Sequence, residues 1–231
     1  MNRIHAIGDL HLSGFPPSKP MSIFGDNWTD HWEKIKQSWY EKVAEQDTVL
    51  LAGDTSWAKT FEAALADLAA IDELPGRKII IKGNHDYWWL TSSKMQRLLP
   101  PTIGFIHNSY AAVGEFAICG SRGWTNPLDE NFTEEDQKIY QREQGRIIAS
   151  LAAAKQDGFS RMILMTHYPL FYAGYTCPWL EELCRLYPIV HYVFGHLHGS
   201  GISLGPNGYY AGVDCRLVSC DALDFKVATL I

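Results

Sequence analysis

The chain has 231 residues, of which 46% are hydrophobic and 13% aromatic, so it holds enough apolar material for a large core and is not expected to be disordered. Its formal net charge of −6 disfavours non-specific binding to a polyphosphate backbone, and nucleic acid is therefore not an expected partner. No apolar stretch reaches transmembrane length, which predicts that the protein does not associate with a membrane.

The cysteines and the start of the chain bear on its location. Five cysteines are an odd number, and none forms a closely spaced metal-binding pair, which favours free thiols in a reducing compartment. An apolar run begins almost at once and lacks the charged and apolar regions of a secretory leader. We therefore expect a cytoplasmic protein.

Short apolar runs rich in isoleucine and valine predict buried strands. Most of them end in glycine or in a polar residue. The runs are Arg3–Ile7, Thr48–Ala52, Lys78–Ile81, Phe116–Cys119, Met162–Met165 and Val190–Phe194.

Between these strands, apolar residues recur at steps of three and four over residues 28–43 and 61–71, which predicts two amphipathic helices. A third helix is expected from Thr133, whose N-cap with an acid three residues later resembles a capping box, to Lys155. Three short apolar runs within Tyr209–Ile231 predict a meander of strands.

The alternation of strands and helices predicts an α/β fold with a parallel-rich sheet and helices outside it. The late all-strand region predicts a second, more antiparallel sheet packed on the first. We expect one domain over residues 1–231, because no linker divides the chain and the motifs described next run from residue 9 to residue 198.

Potential metal ligands recur where the predicted strands end. The motifs are Asp9-Leu10-His11, Gly53-Asp54, Gly83-Asn84-His85-Asp86, His167 and Gly195-His196-Leu197-His198. In open α/β sheets, ligands bind beyond the carboxyl ends of the strands, where these residues are expected. We therefore interpret the motifs as parts of one site.

The residue types indicate the metals. Imidazole and carboxylate together suit Zn, Mn, Fe or Co, and no cysteine falls inside a motif. The candidates exceed what one four-coordinate ion uses, so two ions are the simpler interpretation. Two ions about 3.5–4 Å apart can hold both the attacking and the leaving oxygen of a phosphoryl displacement. Asp54 is our candidate for a ligand shared between them.

These motifs resemble the five motifs of the calcineurin-like metallophosphoesterases. The resemblance implies a four-layer αββα sandwich of two facing mixed β-sheets flanked by helices. It also implies two divalent metal ions, for which Mn, Fe and Zn are the first candidates and Co and Ni are acceptable. The runs Asp9 to Ser13, Gly53 to Ala58 and Ser121 to Trp124 are similar to a group of short stand-alone bacterial predicted phosphohydrolases, over nearly the whole chain.

The resemblance also implies roles for individual residues. One metal would be bound by Asp9, His11, Asp54 and His198. The other would be bound by Asp54, Asn84, His167 and His196. His85 would be the catalytic histidine.

The mechanism that we expect has a hydroxide held between the two metals attack phosphorus, with His85 assisting the leaving oxygen. Asp86, the next residue, is predicted to orient the His85 ring. Arg122 follows a predicted strand, and its guanidinium can hold a phosphate through two parallel hydrogen bonds. A structural salt bridge is the alternative for Arg122.

The predicted function is hydrolysis of a small phosphodiester or phosphomonoester, with the phosphodiester slightly favoured. Residues Ser56 to Lys59 lack the Asp-Arg-Gly run of the related protein phosphatases, and lipid A pathway hydrolases carry arginine where His85 stands. Neither activity is therefore expected. The alternative from another class is a non-catalytic metal-binding scaffold or interaction protein on the same fold.

Aromatic residues crowd the motifs, among them Trp57, Tyr87 and Tyr168. They can belong to the core or can stack on a nucleobase or a phenyl leaving group. The segment Tyr168 to Trp179 is polar in places, and we hypothesise that it forms a lid that contacts the substrate.

Overall fold

The computed structural model describes residues 2–231, and its secondary structure alternates strands with helices over most of the chain. The strands are β1 (Ile4–Ile7), β2 (Thr48–Leu51), β3 (Arg77–Ile80), β4 (Ile103–Phe105), β5 (Tyr110–Val113), β6 (Phe116–Ser121), β7 (Met162–Thr166), β8 (Ile189–Phe194), β9 (Gly208–Tyr210), β10 (Val213–Leu217) and β11 (Ala228–Thr229). The helices are α1 (His31–Lys42), α2 (Phe61–Asp72), α3 (Ser92–Leu98), α4 (Glu134–Gln156) and α5 (Pro178–Leu186).

The strands form two mixed sheets, as the sequence predicts. The first has the order β11-β1-β2-β3-β4, in which only β11 is antiparallel to its neighbour. The second has the order β5-β6-β7-β8-β10-β9, in which the two edge strands are antiparallel. The expectation of a more antiparallel second sheet is confirmed, since that sheet has two antiparallel pairs against one in the first, although β10 returns parallel to β8.

The tail is also divided differently from the predicted meander. Strands β9 and β10 form an antiparallel pair in the second sheet, whereas β11 pairs with β1 in the first. The chain between them crosses from one sheet to the other through turns at residues 218–227. The short apolar runs reveal strands, but the choice between the two sheets depends on long-range pairing.

Three separate apolar clusters show the four layers. The first packs α1, α2 and α3 on the outer face of the first sheet, and the second packs α4 and α5 on the outer face of the second sheet. The third lies between the sheets and includes Ile4, Leu50, Ile79, Ile118, Ile163 and Val193. Successive strand residues face opposite sides, so both faces of each sheet are buried and the layers are helix, sheet, sheet, helix.

The helix expected after Thr133 is confirmed, and its start shows why. The Thr133 hydroxyl accepts a hydrogen bond from the Asp136 N–H, and the Asp136 carboxylate accepts one from the Thr133 N–H. Helix α1 begins later than predicted, because Trp28 belongs to a separate 3₁₀ turn at Asp26–Trp28.

All five cysteines are free thiols. Within residues 2–231, no helix combines the length and the apolar character needed to cross a membrane.

Candidate metal centre

The carboxyl ends of the central strands of both sheets meet at one edge of the molecule. Asp9 follows β1, Asp54 follows β2 and Asn84 follows β3, while His167 and His196 follow β7 and β8 in the facing sheet. A backbone hydrogen bond of 2.6 Å from the Gly8 N–H to the Val218 carbonyl joins the two sheets here. The structure therefore brings the motifs together as predicted.

Four of the predicted ligands have a left-handed backbone conformation. Their φ angles are +59° at Asp9, +48° at His11, +51° at Asp54 and +74° at His196. Such angles are uncommon for residues other than glycine, cost about 1–3 kcal/mol each and cluster at functional sites. The strand ends are bent here in a way that turns these side chains toward one another.

The glycines that precede the ligands allow the loops to approach closely. A Cβ atom on Gly83 would overlap the backbone nitrogen and carboxylate of Asp54, and a Cβ atom on Gly195 would lie 2.5 Å from the Asp9 carboxylate. Gly53 has a φ angle of +90°, and this left-handed backbone conformation also favours glycine at that position. These positions bring the two sheets and the ligand loops into contact.

We expect Gly83→Ala to lower the free energy of unfolding by about 1–3 kcal/mol, since the backbone of Asp54 cannot yield to an added methyl group. Gly145→Ala is the matched control. Gly145 lies exposed in α4 with open space around it, and there alanine should stabilise by about 0.5–1 kcal/mol. Urea unfolding of both variants tests this, and equal effects would contradict the close approach at Gly83.

His167 is fixed by the opposite sheet. Its Nδ1 lies 2.9 Å from the Ala52 carbonyl oxygen, which assigns the proton to Nδ1 and leaves the lone pair of Nε2 facing the site. Nε2 lies 2.7 Å from the Asn84 Oδ1, and the same oxygen lies 3.0 Å from the His196 Nδ1. One amide and two imidazoles therefore converge on one point.

A second convergence surrounds Asp9, which is completely buried. The His198 Nε2 lies 3.3 Å from the Asp9 Oδ1, and the His198 Nδ1 lies 2.8 Å from the Asp221 carboxylate. Burial alone would lower the pKa of His198, but Asp9 and Asp221 raise it to about 10. Asp221 therefore orients the His198 ring, a contact that the sequence motifs do not reveal.

His11 has an unsatisfied ring nitrogen. Its Nδ1 is buried and has no hydrogen-bond partner within residues 2–231, and its Nε2 lies 3.7 Å from the Asp54 Oδ2. The ring stacks on Trp57 with a centroid distance of 4.7 Å and an interplanar angle of 21°. Buried imidazole nitrogens are rarely left unpaired, which is one sign that this set of residues fits a cation.

Asp54 lies between the two convergences. Its Oδ2 is 3.7 Å from the His11 Nε2 and 3.6 Å from the His167 Nε2. Burial first, and then the neighbouring Asp9 carboxylate, raise the pKa of Asp54 to about 8. A carboxylate oxygen of Asp9 lies within 4.8 Å of one of Asp54. Two buried carboxylates at that distance repel each other unless positive charge lies between them.

The ligand atoms are close enough to hold metal ions. One group consists of Asp9, His11 and His198, and a second consists of Asp9, Asp54 and His167; within each group the candidate atoms lie within 4.8 Å of one another. Asp9 belongs to both groups, whereas Asp54 belongs only to the second and lies 3.7 Å from the His11 Nε2 of the first. The donors are nitrogen and oxygen only, which suits the borderline and hard divalent metals.

His85 lies at the open side of this cluster with 34% of its side chain exposed. Its backbone N–H donates a 2.8 Å hydrogen bond to the Asp54 Oδ1, and its Nε2 is 4.0 Å from the Asp54 Oδ2. The ring also contacts Trp57, with a centroid distance of 4.2 Å. Burial and the nearby His167 lower the pKa of His85. The ring is therefore held beside the cluster and faces the cleft.

Asp86 does not orient the His85 ring, and the predicted contact is corrected. Its Oδ1 accepts hydrogen bonds from the backbone N–H groups of Thr55 and Ser56 and from the Trp88 indole, and its Oδ2 accepts one from the Gly83 N–H. The side chain is completely buried. Asp86 instead ties the loop after β3 to the loop after β2.

We expect Asp86→Asn to lower the free energy of unfolding by about 1–3 kcal/mol, because the amide places an N–H group against at least one buried donor. The surface change Asp26→Asn is the control and should stay within about 0.5 kcal/mol of the parent protein. The midpoints of urea unfolding measure both. An unchanged midpoint in Asp86→Asn would mean that these hydrogen bonds do not support the loops.

The Arg122 guanidinium is only partly paired, because its buried Nε has no hydrogen-bond partner within residues 2–231. Its Nη2 lies 3.7 Å from the Glu143 Oε1, and its Cζ lies 4.3 Å from the Trp124 ring centroid. The Arg122 carbonyl also accepts the N–H groups of His167 and Tyr168, which positions the loop after β7. The structural ion pair is thus formed, and contact with a phosphate stays a prediction.

The segment predicted as a lid begins packed and ends exposed. Tyr168 is buried, and its ring lies 4.1 Å from the His196 ring, whereas Tyr175 is 56% exposed. Helix α5 begins at Pro178, so the irregular part of the segment is shorter than predicted. Contact of this segment with a substrate stays a prediction.

A cleft of about 380 Å³ opens in front of the cluster. It is lined by His11, Met21, Phe24, Asn27, Trp28, Trp57, His85, His198, Gly199 and Ser200. Ligand sites typically combine such a concave, partly apolar volume with a few converging polar groups. The candidate ligands and His85 therefore face a space that a small molecule can enter.

Comparison with known proteins identifies the family. Residues 2–200 match the family described as calcineurin-like phosphoesterase. The Gene 66 protein of Mycobacterium phage L5 is 33% identical over 78 residues, which are 34% of this chain and only 37% of that protein.

Two solved structures resemble the fold at 12% sequence identity. The protein TT1561 of Thermus thermophilus has a TM-score of 0.58, with 100% of this chain and 99% of that chain covered. A Staphylococcus aureus protein provisionally named a 5′-nucleotidase has a TM-score of 0.55, with 93% of this chain and 48% of that chain covered. The family match covers most of the chain, and the motifs and the layers agree with it, so this protein belongs to the calcineurin-like phosphoesterase family.

Proposed function

We propose that the chain is a metal-dependent phosphoester hydrolase whose dinuclear centre lies at the joined carboxyl edges of the two sheets. One observation carries the proposal: the buried carboxylates of Asp9 and Asp54 lie among four converging imidazoles and the Asn84 amide, beside an open cleft. A closed structural site has no need of that cleft or of so many ligands. The family match supports the same reaction class.

The proposed ligands divide into two sets around a shared Asp54. Asp9, His11, Asp54 and His198 would hold one ion, and Asp54, Asn84, His167 and His196 would hold the other. When bound, the ions would neutralise the phosphate charge and supply an activated water at neutral pH. Mn, Fe and Zn are the first candidates for these nitrogen and oxygen ligands, followed by Co and Ni.

His85 is the proposed catalytic residue of the chain itself. Its Nε2 lies on the Asp54 side of the ring and can donate a proton to the leaving oxygen. Trp57 limits rotation of the ring, and Asp54 fixes its backbone through the His85 N–H. Asp86 is a positioning residue, because its hydrogen bonds connect the loop after β3 to the loop after β2.

A small phosphodiester is the proposed substrate class, ahead of a phosphomonoester. A monoester dianion would gain most from a fully free guanidinium near the centre, but the Glu143 carboxylate already lies 3.7 Å from the Arg122 Nη2 and offsets part of its charge. A diester carries one negative charge and a second substituent, which the cleft in front of His85 can accommodate.

The test compares hydrolysis of bis-p-nitrophenyl phosphate and p-nitrophenyl phosphate by metal-stripped protein, with Mn, Fe(II), Zn, Co or Ni added back singly. We expect turnover that depends on metal and is faster with the diester. Asp9→Asn should abolish it, whereas the exposed change Asp224→Asn should not. Two bound ions without turnover of any phosphoester would favour the scaffold alternative.

A further inference from the structure

Two near-parallel aromatic rings lie at the entrance of the cleft. The Phe24 and Trp57 rings have a centroid distance of 6.5 Å and an interplanar angle of 14°. A planar ring in van der Waals contact with both, at about 3.5 Å from each, needs about 7 Å. The centroid distance is the largest spacing that the two ring planes can have, so the exposed Phe24 ring has to move outward by at least about half an ångström before a planar ring fits. We call the space between Phe24 and Trp57 the aromatic slot.

The inner wall of the aromatic slot is fixed in place. The Trp57 indole N–H donates to the Met21 sulfur at 3.3 Å, and the Trp57 ring stacks on His11. The outer wall, Phe24, ends the short 3₁₀ helix Met21–Phe24 and is 55% exposed. A rigid wall reduces the conformational entropy that a bound ring would otherwise cost.

The Trp57 face of the aromatic slot is covered in this structure by a flexible side chain. The Lys19 ammonium lies 3.1 Å from the Trp57 ring centroid and 5.1 Å from the Phe24 ring centroid. It has no hydrogen bond or ion pair with any of residues 2–231, so these cation–π contacts are its only restraint. A ligand ring can therefore replace the ammonium without breaking a buried polar network.

The aromatic slot adjoins the candidate metal centre directly. Trp57 contacts His85 at a centroid distance of 4.2 Å and His11 at 4.7 Å. Both walls and both histidines line the same cleft, together with the exposed polar residues Asn27 and Ser200. A ring in the aromatic slot can thus be a substituent of the same molecule whose phosphate lies at the centre.

We propose that the aromatic slot binds the nucleobase of a nucleotide-type phosphoester. This rests on the proposed function and narrows its substrate class. Near-parallel aromatic walls favour a planar ring over an aliphatic substituent. Asn27 and Ser200 offer hydrogen bonds to the edge of a heteroaromatic base, which a phenyl group cannot use.

The test measures the binding of adenosine 5′-monophosphate and ribose 5-phosphate to the metal-loaded protein by calorimetry, with each ligand recovered and checked for cleavage. The two probes share the sugar and the phosphate and differ only in the base. We expect the nucleotide to bind about tenfold more tightly or better, as base stacking on aromatic side chains typically gives.

Variants at Phe24 test whether the aromatic slot causes the preference for the nucleotide over ribose 5-phosphate. In Phe24→Ala the preference for the nucleotide should fall by about tenfold, with ribose 5-phosphate unaffected. Phe24→Tyr keeps the ring and should keep the preference. Because Phe24 is largely exposed, these changes should not disturb folding, and an unchanged affinity for ribose 5-phosphate verifies this. Equal affinities in the parent protein, no binding of either probe, or a preference that survives in Phe24→Ala would overturn the proposal.

The two proposals can fail separately. Metal-dependent hydrolysis of bis-p-nitrophenyl phosphate without any contribution of the base would leave the proposed function intact and remove the nucleobase site. A base-dependent affinity that Phe24→Ala abolishes, in a protein that hydrolyses no phosphoester, would leave the site intact and remove the proposed function.

Discussion

Asp54→Asn should reduce the bound metal from two ions per chain to one or fewer and lower kcat/KM for a phosphodiester by more than about 100-fold. Asp54 lies between His11 and His167, so both metal positions depend on it. Asparagine keeps one oxygen and loses the negative charge, and one amide oxygen cannot replace a carboxylate shared by two dications. Since even partners of metal ligands contribute about 10–100-fold, a shared ligand should exceed that range.

Two further variants serve as a weaker change near the same site and as a control. Asp221→Asn removes the partner of the His198 Nδ1 and should cost about 10–100-fold, because it acts on the metal through His198. Asp224→Asn changes an exposed carboxylate three residues away and should have no effect. Metal analysis by mass spectrometry and initial rates measure all three variants. Full occupancy and full activity in Asp54→Asn would show that the centre is not built around this residue.

For a phosphoester with an alkyl or ribosyl leaving group, His85→Ala should lower kcat by about 10²–10⁴-fold while two metal ions stay bound, since proton transfer by a positioned side chain contributes about that much. The ring lies beside the cluster, and only the His85 backbone N–H contacts Asp54 within hydrogen-bond distance. Alanine keeps that N–H, so the Asp54 position should survive.

The dependence on the leaving group separates proton donation from other roles of His85. The loss in His85→Ala should be small for p-nitrophenolate, which needs no proton to leave, and large for an alkyl or ribosyl alkoxide. His107→Ala alters an exposed histidine outside the motifs and is the matched control. Equal losses with both leaving groups would remove His85 from the role of proton donor, and loss of metal would make it a structural residue.

Much of the site could be predicted because its residues follow strands. The runs before Asp9, Asp54 and Asn84 are short and apolar, and parallel strands bring their carboxyl ends to one edge whatever the details of packing. His167 and His196 also follow apolar runs, but their place in a facing sheet is implied by the family resemblance and not by the local sequence. Local sequence was therefore sufficient to predict which side chains of the first sheet meet.

The contacts that orient these side chains could not be predicted in the same way. Asp221 lies 23 residues from His198 and contacts it because the chain crosses between the sheets after β10, which no local pattern reveals. The proximity of Asp86 to His85 in sequence suggested a contact, but the backbone turns the carboxylate toward the Thr55 and Ser56 N–H groups. The Phe24 ring reaches Trp57 through the loop before α1, for which the sequence predicted no structure.

The most direct test of the dinuclear centre is a titration of metal-stripped protein with Mn²⁺ in which bound metal and diester turnover are measured on the same samples. Turnover should be negligible in the stripped protein and should become maximal as the second ion binds, and electron paramagnetic resonance should show two coupled Mn²⁺ ions. Full turnover in the stripped protein, or saturation at a single ion without coupling, would contradict a dinuclear centre shared through Asp54.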